Sequence, residues 1–281
     1  MSSRFGDDPF RIREPEETIS RLKRFLSTHL DETHSKRLVV GMSGGLDSSV
    51  SAALCALAVG SRRVLGVCLP ERETRNEKGI EDAKSVASNL RIPFRVVDIT
   101  TVVQTFQSTL RVNRSKRIPW GNVKARLRAV VQYYLANLEH GLVVGTGDKS
   151  EIMLGYFTKF GDGACDIQPL ADLYKTSVRD LAKHLGIPDK IRLKPSSPEL
   201  WPGQTAESEL GLSYEKIDKI LWGLERWLRP EEISQDTTLP LSLIRKIRDR
   251  WLKSEHKRSP PIVMKLGFRT VGADLRLPRP N

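Results

Sequence analysis

Residues Leu38 to Val50, reading Leu-Val-Val-Gly-Met-Ser-Gly-Gly-Leu-Asp-Ser-Ser-Val, constrain the fold more than any other stretch of this chain. Val39 and Val40 are β-branched and favour extended backbone, whereas the alanine- and leucine-rich run from Ser49 to Val59 favours a helix. The turn between them must hold Gly44 and Gly45. Without Cβ atoms, both can take positive φ and bring their N–H groups close to an anion. The following helix adds N–H groups without intrahelical partners and the positive end of its dipole. The stretch therefore predicts a strand, a phosphate cradle and a helix start.

Two phosphate-binding motifs can be set aside. A lysine-containing P-loop needs G-x-x-x-x-G-K-[ST], and no lysine follows these glycines; the G-x-G-x-x-G spacing of a dinucleotide fingerprint is also absent. An ordinary strand-to-helix turn with Asp47 as a first-turn carboxylate stays open. The combination Ser43-Gly44-Gly45-Leu46-Asp47-Ser48 resembles the S-G-G-x-D-S signature of the ATP pyrophosphatases, which cleave ATP between the α and β phosphates and adenylate an acceptor. The resemblance implies that the loop holds the leaving pyrophosphate and that Asp47 binds Mg²⁺.

The surrounding pattern sets the architecture. Residues 1–15 are charged, contain Pro9 and Pro15, and read as a flexible lead-in. From about Glu16, Ile19, Leu22, Phe25, Leu26 and Leu30 form one apolar helical face. Val64 to Leu69 reads as a second strand stopped by Pro70, Ile80 to Asn89 as a helix, and Phe94 to Asp98 as a third strand. Strands and helices alternating at this spacing predict an α/β fold, a doubly wound parallel sheet flanked by helices and Rossmann-like, with ligand-binding loops at the carboxyl ends of the strands.

A second strand tip repeats the logic of the first. Leu142-Val143-Val144-Gly145-Thr146-Gly147-Asp148-Lys149-Ser150-Glu151 runs from an apolar strand through glycines and a hydroxyl to a carboxylate at a helix start. Across a ligand crevice, Glu151 and Asp47 would share one Mg²⁺, an ion that takes one or two carboxylates beside water and phosphate oxygens. Leu173 to Ser177 leads into a helix running through Leu185, and Lys175 sits before that helix, where a lysine gains nothing from the dipole and a phosphate partner would explain it.

Other segments leave alternatives open. Glu71 to Lys78 is either a solvated loop or a wall of the nucleotide site, and Gln107 to Arg117 a mobile flap or helix end. An amphipathic helix follows from Gly121 to about Glu139, on which Arg126 and Arg128 read as exposed charges by pattern alone. Lys159 to Asp166 is a glycine-rich polar loop. The proline-, serine- and glycine-rich stretch 194–211 reads as a lid or a linker. Beyond it, 213–281 comprises two amphipathic helices, Ser213 to about Leu228 and Leu241 to about Lys253, and a basic, extended tail; Trp222, Trp227 and Trp251 read as core or interface residues.

The net charge of +12 suits either a nucleic-acid partner or a pocket for several phosphates; the even spread of Lys and Arg, with no RNA-recognition or zinc-finger pattern, leans towards the pocket. Cys55, Cys68 and Cys165 form no C-x-x-C, so neither a disulfide framework nor a zinc site is expected. No apolar run approaches the about 18 residues of a membrane span, and the first residues lack a secretion signal's apolar core, so a cytoplasmic protein with no membrane partner is expected.

From Leu38 to Arg276 the chain resembles the ammonia-dependent NAD synthetases, within the adenine nucleotide alpha hydrolase-like superfamily. The marks are Ser43 to Ser48, Gly121 to Arg126, Gly145-Thr146 with Glu151, Gly155 to Asp162, Leu173-Tyr174-Lys175, Leu200 to Thr205 and Glu255 to Arg258. The resemblance implies a single such domain over 16–281 and ATP-dependent amidation of deamido-NAD by ammonia, through an adenylated carboxylate, to give NAD, AMP and pyrophosphate. It implies ATP contacts from Gly41, Met42, Ser43, Gly44, Gly45, Leu46, Asp47, Ser48, Thr146, Lys175 and Ser197, with Asp47, Glu151 and Lys175 as the catalytic groups. It further implies Mg²⁺ on Asp47 and Glu151, and deamido-NAD contacts from Arg126, Lys159, Asp166, His256 and Lys257. It also implies a homodimer, whose interface the first helix and the Gly121 helix would supply, and ammonia from solution or from a separate protein. Ser197 keeps the hydroxyl of the family's usual threonine, whereas Ala206 and Ala164 replace its usual aspartate and glycine. Two alternatives remain: a tRNA-modifying ATP pyrophosphatase, and a non-catalytic nucleotide- or RNA-binding protein.

Overall fold

The computed structural model describes residues 8–113, 115–271, 274 and 275. In chain order, α1 (Pro15–Glu32) leads to β1 (Arg37–Gly41), α2 (Leu46–Val59), β2 (Val64–Cys68), α3 (Glu77–Asn89), β3 (Phe94–Val96), α4 (Thr100–Thr109), α5 (Arg117–Leu138) and β4 (Gly141–Val144). There follow α6 (Lys149–Leu154), α7 (Lys175–His184), α8 (Asp189–Arg192), α9 (Ala206–Leu210), α10 (Tyr214–Glu225), α11 (Pro230–Thr237), α12 (Leu241–Lys253) and α13 (Glu255–Arg258).

The strands form one parallel sheet in the order β3-β2-β1-β4, with Val39 in register with Leu65 on one side and Val143 on the other. Alternate β1 side chains serve opposite layers. Leu38 and Val40 join Leu26 and Leu30 of α1, Val50 and Leu54 of α2, Val86 of α3 and Val178 of α7. Val39, Leu65, Val67 and Val143 instead pack with Val103 of α4 and Leu127 and Leu135 of α5. This is the expected doubly wound sheet. From β1 the chain steps one way to β2 and β3 and returns on the other flank as β4, leaving a crevice at the carboxyl ends where the direction reverses. A third cluster joins α6 to α10, α11 and α12 through Leu154, Ile217, Ile220, Ile233 and Ile244.

Several boundaries differ from the sequence reading for identifiable reasons. Helix α3 starts at Glu77 because the Asn76 side chain accepts the Gly79 N–H at 3.0 Å and caps it. Strand β3 stops at Val96; Asp98 then accepts the Thr100 N–H at 2.8 Å, opening α4, a helix the sequence reading did not foresee. Helix α5 begins at Arg117, inside the expected flap. The lead-in is tethered over its described part: Phe10 is buried edge-on against Tyr174, and the Ile12 N–H donates to Asp180 at 2.9 Å. Its residues 1–7 lie outside the described residues.

Stretch 194–211 contains α9, capped by Thr205 and ended by left-handed Gly211, and Pro230 opens the unforeseen α11. The tail is helical over α13 rather than extended, and Arg258 anchors it by donating to the Met153 carbonyl at 2.8 Å. Trp222 and Trp251 pack against the third cluster, whereas Trp227 is 86% exposed. The apolar face of α1 is spent on α2 within the chain, with Leu26 and Leu30 fully buried. No helix among the described residues is long and apolar enough to cross a membrane.

Candidate active site

The glycine turn after β1 opens into a cavity of about 260 Å³ at the carboxyl edge of the sheet, bordered by β1, β2 and β4 ends and by 194–200. Gly44 has φ +78°, and a Cβ there would lie 2.1 Å from the Gly79 carbonyl oxygen, so the turn requires glycine. Gly45 instead has φ −91° and is the N-cap of α2, without a side-chain cap, so the first turn of that helix, Leu46 to Ser48, borders the cavity with N–H groups that lack intrahelical partners. Ser48 folds back to accept the Ser43 N–H at 3.3 Å, tightening the loop into a concave anion seat. Gly41, Met42, Ser43, Gly45, Leu46, Asp47, Ser48, Thr146 and Ser197 border the cavity; Gly44 shapes it from behind.

The two strand tips meet as expected. The fully buried Lys175 Nζ lies 2.7 Å from Asp47 Oδ2, 2.8 Å from Asp148 Oδ2 and 2.9 Å from Glu151 Oε1. Lys175 is the first residue of α7 and is held there by Ser150, whose Oγ accepts its N–H at 3.0 Å. Ser150 donates to Asp218 at 2.5 Å, and Asp218 also accepts the Thr176 N–H at 2.9 Å, so one buried carboxylate fixes the first turns of α6 and α7 together.

Burial pushes the Glu151 carboxyl up to about 8, against the pull of Lys175, and also raises Asp148. Burial works against the Lys175 ammonium too, but Asp148, Asp47 and Glu151 more than offset it and hold the amine protonated. The lysine read as a phosphate ligand is thus paired with three carboxylates here.

The donor set suits a divalent cation. Among the described residues Asp47 Oδ1 is buried without a hydrogen-bond partner, and Asp47 and Glu151 both border the cavity. No group of three or more His, Cys, Asp or Glu placed to hold a metal occurs among the described residues, so Mg²⁺ would rest on these two carboxylates with phosphate and water oxygens.

The remaining wall holds residues the sequence reading missed. Arg128 is not an exposed charge: its guanidinium reaches the Leu69 carbonyl at 3.2 Å and the Glu199 carbonyl at 3.5 Å, and burial lowers its pKa. Loop 71–78 is a wall rather than a solvated turn. Glu71 is buried on Lys124 at 2.7 Å, Glu73 meets the same nitrogen at 2.6 Å, and Thr74 and Asn76 border the cavity. Asp162, raised by burial, accepts the Thr158 N–H at 2.8 Å. Asp148 was within reach of sequence reasoning, because Asp148-x-x-Glu151 is a capping-box pattern and both of its bonds form.

The five residues assigned to deamido-NAD lie outside the cavity wall. Exposed Arg126 donates to the Lys159 carbonyl at 3.2 Å, and Lys159 Nζ donates to the His256 carbonyl and, at 3.2 Å, to that of Ser259. Lys257 Nζ donates to the Gly155 and Phe157 carbonyls, each at 2.7 Å, and burial lowers its pKa; His256 is exposed on α13. Arg126, Lys257 and the His256 carbonyl thus meet turn 155–160, to which Lys159 belongs. Asp166 stands apart, accepting the Val143 N–H of β4 at 2.7 Å and the Tyr133 hydroxyl at 3.2 Å.

A family model described as NAD synthase matches residues 18–261. The NH(3)-dependent NAD(+) synthetase of Methanocaldococcus jannaschii is 45% identical over 88% of this chain and 95% of its own length; that of Hyperthermus butylicus is 44% identical over 85% and 87%. Among solved structures, NMN synthetase from Francisella tularensis superposes with a TM-score of 0.80 at 31% identity, covering 91% of this chain and all of that one. The NH3-dependent NAD synthetase from Campylobacter jejuni gives 0.76 at 28%, covering 90% of this chain and all of that one.

Proposed function

The chain belongs to the NAD synthase family, and from this we infer that it is a C–N bond-forming ligase. It amidates deamido-NAD with ammonia at the expense of ATP, giving NAD, AMP and pyrophosphate. The observation that carries this reading is the meeting of Asp47 and Glu151 at one ammonium beside the Gly44 turn. The tRNA-modifying and purely binding alternatives are not favoured, because relatives that share most of the chain are NAD synthetases.

In this reading the Ser43 to Ser48 loop and the α2 N-terminus seat the leaving pyrophosphate, with Thr146 and Ser197 bordering the same nucleotide. Asp47 and Glu151 hold Mg²⁺, which supplies positive charge to the phosphate oxygens. Lys175 adds a fixed cation beneath them. The segment 194–211 covers the nucleotide and keeps water from the adenylate. Arg126, Lys159, His256 and Lys257 form a basic rim for deamido-NAD beside the cavity, with Asp166 on its β4 side. Catalysis is then mostly positioning and electrostatics.

Incubation with ATP, Mg²⁺, ammonium and deamido-NAD should give NAD, AMP and pyrophosphate in equal amounts. AMP formed only with another acceptor would overturn the substrate assignment. Because the Francisella protein is described as an NMN synthetase, the acid mononucleotide belongs in the same assay as the competing substrate.

The proposed homodimer uses α4 with its C-cap Leu110, and α5, where Phe106, Leu110, Val130, Tyr134 and Leu138 are exposed, rather than α1. Val130→Asp should then give a monomer by light scattering, and a monomeric unaltered protein would remove the dimer. A cytoplasmic setting and a free or partner-delivered ammonia supply complete the proposal.

A further inference from the structure

Three carboxylates meet one ammonium in the site, and they are not equivalent. Asp47 and Glu151 are 19% and 20% exposed at the side chain and border the cavity; Asp148 is fully buried and does not border it. The Lys175 ammonium donates aligned hydrogen bonds to Asp47 and Glu151. Asp148 Oδ2 lies as close, at 2.8 Å, yet is off hydrogen-bond alignment and has no other hydrogen-bond donor among the described residues.

The other oxygen of Asp148 is committed. Oδ1 accepts the Glu151 N–H at 2.8 Å as the cap of α6, so this side chain cannot swing towards the cavity without uncapping the helix. The Tyr214 ring, 5.2 Å from Nζ, closes a further side of the lysine. With all three carboxyls ionised, the cluster carries two more negative charges than positive ones, which a divalent cation balances. Once Asp47 and Glu151 turn to that cation, the ammonium needs a counter-ion that stays behind, and a buried cation without one is strongly disfavoured.

We propose that Asp148 is that resident counter-ion: a positioning residue that keeps Lys175 aimed at the nucleotide while Asp47 and Glu151 serve the metal. The inference rests on the Mg²⁺–ATP reading of the cavity. It separates the two functions of Asp148, since the cap needs only an acceptor oxygen and the counter-ion needs a charge.

Asp148→Asn keeps the acceptor and removes the charge. Lys175 is then satisfied only by Asp47 and Glu151, and a metal must displace it. Mn²⁺ binding in the presence of ATP, followed by electron paramagnetic resonance, should weaken by about 10- to 100-fold, the range seen when outer partners of metal ligands are removed. The kcat should fall with it, while KM for deamido-NAD stays within about twofold, because the basic rim is untouched. If the asparagine variant does not fold, Asp148→Ser, which also caps without charge, carries the same measurement. Asp148→Asn with unaltered Mn²⁺ affinity and kcat would reduce Asp148 to a helix cap and overturn the proposal while leaving the Mg²⁺–ATP reading intact. An unaltered protein that binds no Mn²⁺ with ATP would remove both.

Discussion

Asn76 Nδ2 donates to Glu199 Oε1 at 3.0 Å, joining the loop after β2 to the segment that covers the cavity. The same Glu199 has φ +49°, a left-handed backbone rarely adopted by a side chain of this size, and its carbonyl accepts from Arg128 at 3.5 Å. A strained residue held by contacts to two different elements is a fastening.

Cutting that fastening should loosen the cover. Glu199→Ala is expected to weaken ATP binding by about tenfold, the worth of one charge-assisted hydrogen bond after solvent competition. It should also release AMP without matching amide product. Glu199→Gln keeps the acceptor for Asn76 and should restore the one-to-one ratio. Equal AMP and NAD from the alanine variant would show that the segment closes without this contact.

Gly44→Ala meets two obstacles, a positive φ and the Gly79 carbonyl 2.1 Å from the new Cβ. The loop must open, at a cost of about 1–2 kcal/mol for the backbone alone. Calorimetric titration with ATP should show binding weakened by more than about tenfold. Near-normal affinity would mean that the phosphates do not sit on this turn.

Burial raises the Asp218 carboxyl from its ordinary 3.8 to about 7, although Ser150 and Thr176 oppose the shift by hydrogen bonding. The folded protein thus holds this proton more tightly than the unfolded chain does. Its contribution to stability is full below about pH 4 and is lost as pH rises through 7, a swing on the order of 4 kcal/mol. Asp218→Asn should flatten the fall in nucleotide-free melting temperature between pH 4 and 7. An unchanged slope would assign the pH dependence to other groups.

Lys124, fully buried, neutralises Glu71, which is 2% exposed. Lys124→Met leaves that carboxylate buried without this cation, a loss of about 3–5 kcal/mol by urea unfolding. Adding Glu71→Gln should recover part of the loss; no recovery would point instead to packing on Trp120, whose ring centroid lies 5.6 Å from the Lys124 Nζ.

What could be read from sequence was what local chemistry decides. Val39 and Val40 announce a strand, and Gly44 beside Asp47 announces an anion seat at a helix start, because each depends on neighbours a few residues away. Arg126 and Arg128 show where that reach ends. Two positions on a helix lie about 200° apart, so similar charges face opposite ways, one to solvent and one into the cavity wall. Pattern alone cannot say which. Phe10 was hidden for the same reason: its pocket beside Tyr174 is built by residues far along the chain.

Asp47 and Lys175 are separated by 128 positions. During synthesis the cradle therefore emerges long before the amine that neutralises it, and its carboxylate has to remain hydrated until the later half is made. Fragments ending before α7 would keep the four described strands yet lack this cation, so shortening the chain from that end removes the ammonium that three carboxylates share instead of trimming a peripheral element.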